Sequence, residues 1–233
     1  MMIQVQNLTK EYKSHKALSD VSFSVAQGEI FSLVGANGAG KSTTIKILTH
    51  QIPATSGSAH VNGLDVSSHF ARIKAEIAYV PENLMLYGYL TGIENLDFFC
   101  GISALKYSRA ELGNYLIQAG LDSKHFDKKL GNYSKGMKQK IGIAFALAKK
   151  AKVLFLDEPT SGLDPKSIAE FSVLLKNLKA AGMTILMSSH DLFRIINDTD
   201  RIGIMKEGSL LEIVNAKEVS FLQLEEKYMQ LMQ

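Results

Sequence analysis

The chain has 233 residues, 46% of them apolar, with 26 basic against 23 acidic side chains and a net charge of +3. That length fits one large domain, or one domain carrying an insertion, and the near-even charge argues against a nucleic-acid binder, which needs a basic excess to neutralise phosphates. Cys100 is the only cysteine, which excludes an internal disulfide and fits a reduced compartment with one buried thiol.

In chain order, Ile3–Leu8 and Val21–Val25 alternate apolar and polar residues and read as strands. Glu29–Gly35 (EIFSLVG) is an apolar run that reads as a buried strand. It enters a glycine-rich loop and then the helical pattern KSTTIKILTH. Further short strand-like pieces follow Gly57, ending with Ile77–Val80. From about 83 to 150 the pattern is helical, with Ile93, Leu96, Phe99 and Cys100 on one face and Leu112, Leu116, Ile117 and Leu121 on another. This stretch reads as an inserted helical subdomain, with a helix near Met137–Lys149. Alternation of strand and helix resumes with VLFLD from Val153, a helix near Ser167–Leu178, and the strand MTILMSS. Buried strands alternating with helices imply a parallel sheet covered on both faces. A last helix over about 216–232 places Phe221, Leu224, Tyr228 and Leu231 on one stripe, suited to packing on its own domain or to a dimer or regulatory contact. The longest apolar stretch, around Ile141–Ala148, falls short of the roughly 20 residues of a bilayer helix. The start MMIQVQNLTK lacks a signal-peptide core. The expected location is therefore cytoplasmic, with any membrane work done through a partner.

Three motifs carry chemistry. Gly35–Ser42 (GANGAGKS) fits G-x-x-x-x-G-K-[ST], between a buried strand and a helix. The backbone from Gly35 through Asn37, Gly38, Ala39 and Gly40 can wrap a phosphate. Lys41 brings charge to the outer phosphates, the Ser42 hydroxyl can ligate magnesium, and Thr43 follows at the positive end of the helix dipole. In VLFLDEP, a strand ends in Asp157, suited to holding magnesium through water, and Glu158, suited to polarising the attacking water. Ser188–His190 (SSH) ends another buried strand, where His190 can bond the terminal phosphate.

The order of these motifs resembles the ATP-binding subunit of ABC transporters, over nearly the whole chain to about residue 214. That resemblance implies an α/β P-loop fold of the ABC type, with a mainly parallel core sheet, N-terminal antiparallel strands and the inserted helical subdomain. It implies a Mg2+-dependent ATPase that dimerises on ATP and drives a separate integral-membrane permease from the cytoplasmic face of the membrane. Tyr12 lies where the family keeps an aromatic to stack on adenine. Tyr133–Lys140 (YSKGMKQK) is similar to the signature motif, in which Ser134 and Gly136 would contact ATP held by a second copy. Ser161–Asp164 (SGLD) is similar to the loop joining the two sites of the dimer. Two positions depart from the pattern. Lys135 replaces a glycine and is expected to point to solvent. Glu82 replaces a glutamine and can still reach magnesium or its water. Both variants resemble the export-type branch. The rival reading is a soluble ATPase of the same type acting on ribosomes or DNA, but such proteins usually carry two ATPase domains or a long coiled-coil insertion.

Overall fold

The computed structural model describes residues 1–13 and 15–232. Among the described residues, two sheets and eight α-helices alternate along the chain. The first sheet is antiparallel and runs β2 (His15–Val25), β1 (Ile3–Tyr12), β4 (Ser56–Val61), β5 (Leu64–Asp65). The second runs β10 (Ser209–Asn215), β9 (Arg201–Lys206), β3 (Ile30–Val34), β8 (Thr184–Ser189), β7 (Val153–Leu156), β6 (Ile77–Val80). All its neighbours are parallel except the β10 edge.

The period of two along these strands builds two cores from one sheet. Ile30, Val34, Leu154, Leu156, Ile185 and Met187 face α3 (Gly92–Ile102), α4 (Arg109–Gln118), α5 (Lys135–Ala148) and α6 (Pro165–Ala180). The intervening Phe31, Leu33, Val153, Phe155 and Leu186 face α1 (Lys41–Leu48), α2 (Val66–Glu76) and the antiparallel sheet. Phe31 and Phe155 are fully buried, each contributing about 1.5–3 kcal/mol of transfer free energy.

The helices start where their caps dictate. Thr91 with Glu94, and Ser108 with Glu111, form reciprocal capping boxes that open α3 and α4. Ser134 accepts from the Met137 amide, so α5 opens at Lys135, two residues before the expected start. Asp164 caps α6, with Pro165 in its first turn, which likewise begins earlier than Ser167. α7 (Leu192–Ile195) is a single turn. α8 (Phe221–Met232) starts at 221 rather than near 216, because Ser220 and Gln223 bond each other's amides there. Its Leu224 is fully buried, and Tyr228 and Leu231 pack on the same core, so this stripe packs on its own domain.

The strands β1 and β2 run longer than the alternation implied, because they pair with each other out to Tyr12 and His15. Ile117 turns outward at 57% exposure, although Leu112, Leu116 and Leu121 are buried as expected. Cys100 is buried, and that burial, helped by the nearby Asp97 charge, pushes its thiol up to about 11. Among the described residues, no helix is long and apolar enough to cross a membrane.

Candidate functional site

The loop from β3 to α1 is tight for stated reasons. A β-carbon at Gly35 would collide with the Met205 carbonyl oxygen. Gly40 has φ 103°, and a side chain there would also meet Leu18 and the Ala17 carbonyl. Only glycine accepts that backbone. Lys41 therefore folds under the loop, with its Nζ donating to the Gly35 carbonyl at 2.6 Å and to that of Ala36 at 3.2 Å.

Parallel pairing of β7 and β8 beside β3 brings three strand ends together. Ser42 Oγ donates to Asp157 Oδ1 at 2.8 Å, and Ser188 Oγ donates to the same oxygen at 2.6 Å. The Glu158 carboxylate spans two partners: Lys41 Nζ lies 3.4 Å from Oε1, and His190 Nδ1 donates to Oε2 at 2.7 Å. The Lys41, Asp157 and Glu158 expected to share a site are thus in direct or one-residue contact, and His190 joins them. Nearby, burial and then the Asp157 charge push the Tyr79 hydroxyl up to about 12, so it stays neutral beside that carboxylate.

A cleft of about 330 Å³ opens over this cluster. It is lined by Tyr12, Asn37, Gly38, Ala39, Gly40, Lys41, Ser42, Thr43, Glu82 and Glu158, together with His15 and Ala17. Tyr12 is 45% exposed, and Lys10 Nζ stands 4.8 Å over its ring. His15 was not singled out in the sequence. Its signal lay in the turn, because hairpin pairing sets it opposite Tyr12.

Ser134, Gly136 and Asp164 are not in this cleft. They line a second one of about 360 Å³, with Lys124, His125 and Lys140. Asp164 spends its carboxylate on the α6 cap: bonds from the Ser167 hydroxyl and amide hold its pKa below the usual value.

Lys135 does not point to solvent. Its Nζ lies 3.7 Å from Glu82 Oε1, and Ser161 Oγ donates to that same oxygen at 3.2 Å. The two departures from the family pattern meet: the charge at Lys135 faces the charge at Glu82.

Among the described residues, no group of three or more His, Cys, Asp or Glu is arranged to hold a metal. The donor chemistry still suits magnesium, which takes few protein ligands and completes its octahedron with phosphates and water. Ser42 and Asp157 offer two adjacent hard oxygens.

A buried strand, a glycine loop closed on a buried lysine, and an Asp–Glu pair on a nearby strand end define a P-loop nucleotide-binding protein. Residues 18–161 match the family described as ABC transporter. The chain is 37% identical to the linearmycin resistance ATP-binding protein LnrL of Bacillus subtilis, over 91% of this chain and 68% of that protein. It is 40% identical to the bacitracin transport ATP-binding protein BcrA of Bacillus licheniformis, over 91% of this chain and 69% of that one. Its fold matches a dimeric ATP-binding cassette in a post-hydrolysis state bound to ADP and Pi, with TM-score 0.83, 26% identity, and cover of 92% and 99%. The chain belongs to the ABC transporter family as an ATP-binding subunit, and its reaction is ATP hydrolysis.

Proposed function

We propose that the chain works as the Mg2+-dependent motor of an export-type transporter, in which two copies close on ATP and move a separate permease. The observation that carries this reading is the Glu158 carboxylate held between Lys41 and His190. A carboxylate at that point can accept a proton from water beside the terminal phosphate. Lys41 balances the phosphate charge, and His190 keeps the carboxylate turned toward it. Tyr12 stacks on the adenine, and the loop amides from Gly38 to Thr43 hold the phosphates. Ser42 and Asp157 would hold magnesium, with Glu82 reaching it or its water, and the ion would supply positive charge to the phosphate oxygens.

The separation of the two clefts supports the dimer. Ser134, Gly136 and Asp164 sit away from the Lys41 cleft on one chain, so they serve the nucleotide held by a second copy. A patch of exposed Tyr89, Phe98 and Ile102 around Tyr87 supports the permease. Clustered apolar surface of this kind marks a protein contact. The work then takes place on the cytoplasmic face of a membrane. Relatives named for resistance and transport do not favour the ribosome or DNA reading.

Light scattering on Glu158→Gln tests this. The variant is expected to bind ATP, stop hydrolysing it, and run as a stable dimer with ATP and a monomer without it, because ligand bound only by the closed form favours that form. A variant that stays monomeric at saturating ATP overturns the composite site.

A further inference from the structure

We infer that Ser188 is a positioning residue for hydrolysis, one hydroxyl that sets both carboxylates of the Asp157–Glu158 pair; the inference rests on the role proposed for Glu158. Ser188 is fully buried in β8, a strand whose other side chains are all buried too. A hydroxyl costs free energy in such a place unless it is bonded. This one uses both of its capacities on the site. Its single proton goes to Asp157 Oδ1 at 2.6 Å, and its oxygen accepts the backbone N–H of Glu158 at 2.9 Å.

The second bond matters because of the backbone it holds. Glu158 has φ 47°, in the left-handed region that a residue with a β-carbon adopts at a cost. Such a conformation persists only where its surroundings over-determine it. Two bonds do so here: the Glu158 amide to Ser188 Oγ, and the Ser161 amide to the Glu158 carbonyl at 3.2 Å. The left-handed turn is what swings the Glu158 side chain back between Lys41 and His190. Ser42 also bonds Asp157, so that carboxylate keeps one donor if Ser188 is lost. Among the described residues, the Glu158 amide has no partner besides Ser188 Oγ. The expected defect is therefore in the step Glu158 serves and not in nucleotide binding.

Ser188→Ala in the full chain tests this, with Glu158→Gln measured beside it. The expected result is a kcat about tenfold lower, the loss of one hydrogen bond involving a charged group. ATP affinity should stay within twofold of wild type, and the ATP-dependent dimer fraction should rise above it. A merely structural serine predicts the opposite on the last two readouts. A kcat within threefold of wild type, or an affinity that falls in step with kcat, overturns the inference. Should Ser188→Ala fail to fold, Ser188→Cys carries the test, since it keeps the volume and weakens the donor: wild-type kcat in that variant overturns the inference, and a fall at unchanged affinity supports it. If Glu158→Gln hydrolyses ATP normally or forms no dimer, the proposed function fails. If it behaves as expected while Ser188→Ala hydrolyses normally, only the role of Ser188 fails.

Discussion

Lys41, Asp157 and Ser188 are 5%, 7% and 0% exposed, whereas Ser134 and Asp164 stand exposed at the ends of helices. The floor of the first cleft sits at the buried ends of parallel strands, where Lys41, Asp157 and Glu158 each have a fixed partner. The second is built from helix N-termini: Ser134 and Asp164 spend their side chains on their own caps, and Lys140 pairs with Glu170 at 2.6 Å near the surface. Chemistry needs groups held to a fraction of an ångström, and a sheet core supplies that. A surface that opens and closes against a second copy has to stay wet when apart. The lesson is that one chain carries a buried cluster and an exposed cluster, with the Glu82, Ser161 and Lys135 contacts between them.

The sharpest way to break this comparison is to remove a charge from the buried cluster. Lys41→Ala should lower ATP turnover about 100-fold or more. Turnover near wild type, measured by phosphate release, would show that the buried cluster is not the seat of the reaction. Tyr12→Ala should weaken ATP binding by about 1–3 kcal/mol and Tyr12→Phe hardly at all, the scale of a base on an aromatic ring. Equal loss in both variants, read by nucleotide titration, would replace stacking with a hydroxyl role.

The exposed cluster should respond differently. Ser134→Ala removes a cap, costing ~1 kcal/mol in chemical denaturation. It should slow hydrolysis by the dimer while leaving ATP binding to the single chain unchanged. Weakened binding to the single chain would erase the distinction between the clefts. The contact between the two clusters carries the smallest effect. Glu82→Gln should keep ATPase activity within about tenfold, roughly 1.4 kcal/mol of barrier. A double-mutant cycle with Lys135→Ala should give a coupling of ~1 kcal/mol or less in stability, because both side chains are partly exposed. A much larger coupling would make the pair a structural keystone.

Local chemistry made much of this protein readable from sequence. The G-x-x-x-x-G-K-S spacing, the apolar run into Asp157 and Glu158, and the run into His190 each point to an expected role, because a phosphate cradle or a strand-end carboxylate needs those residue types at those intervals. The fold class was legible for the same reason: strand and helix periods depend on neighbours close in the chain. Helix starts were less so, since Ser134 and Ser220 act as caps only once their side chains turn back on the next amides. Two things belonged to the tertiary structure alone. Ser188 looked like one more small residue in a buried strand until the register of β7 and β8 set its hydroxyl beside Asp157 and Glu158. Lys135 read as a solvated charge until folding brought it to Glu82, 53 positions away in sequence (135 − 82). Each depends on the meeting of distant segments, which composition and periodicity do not encode.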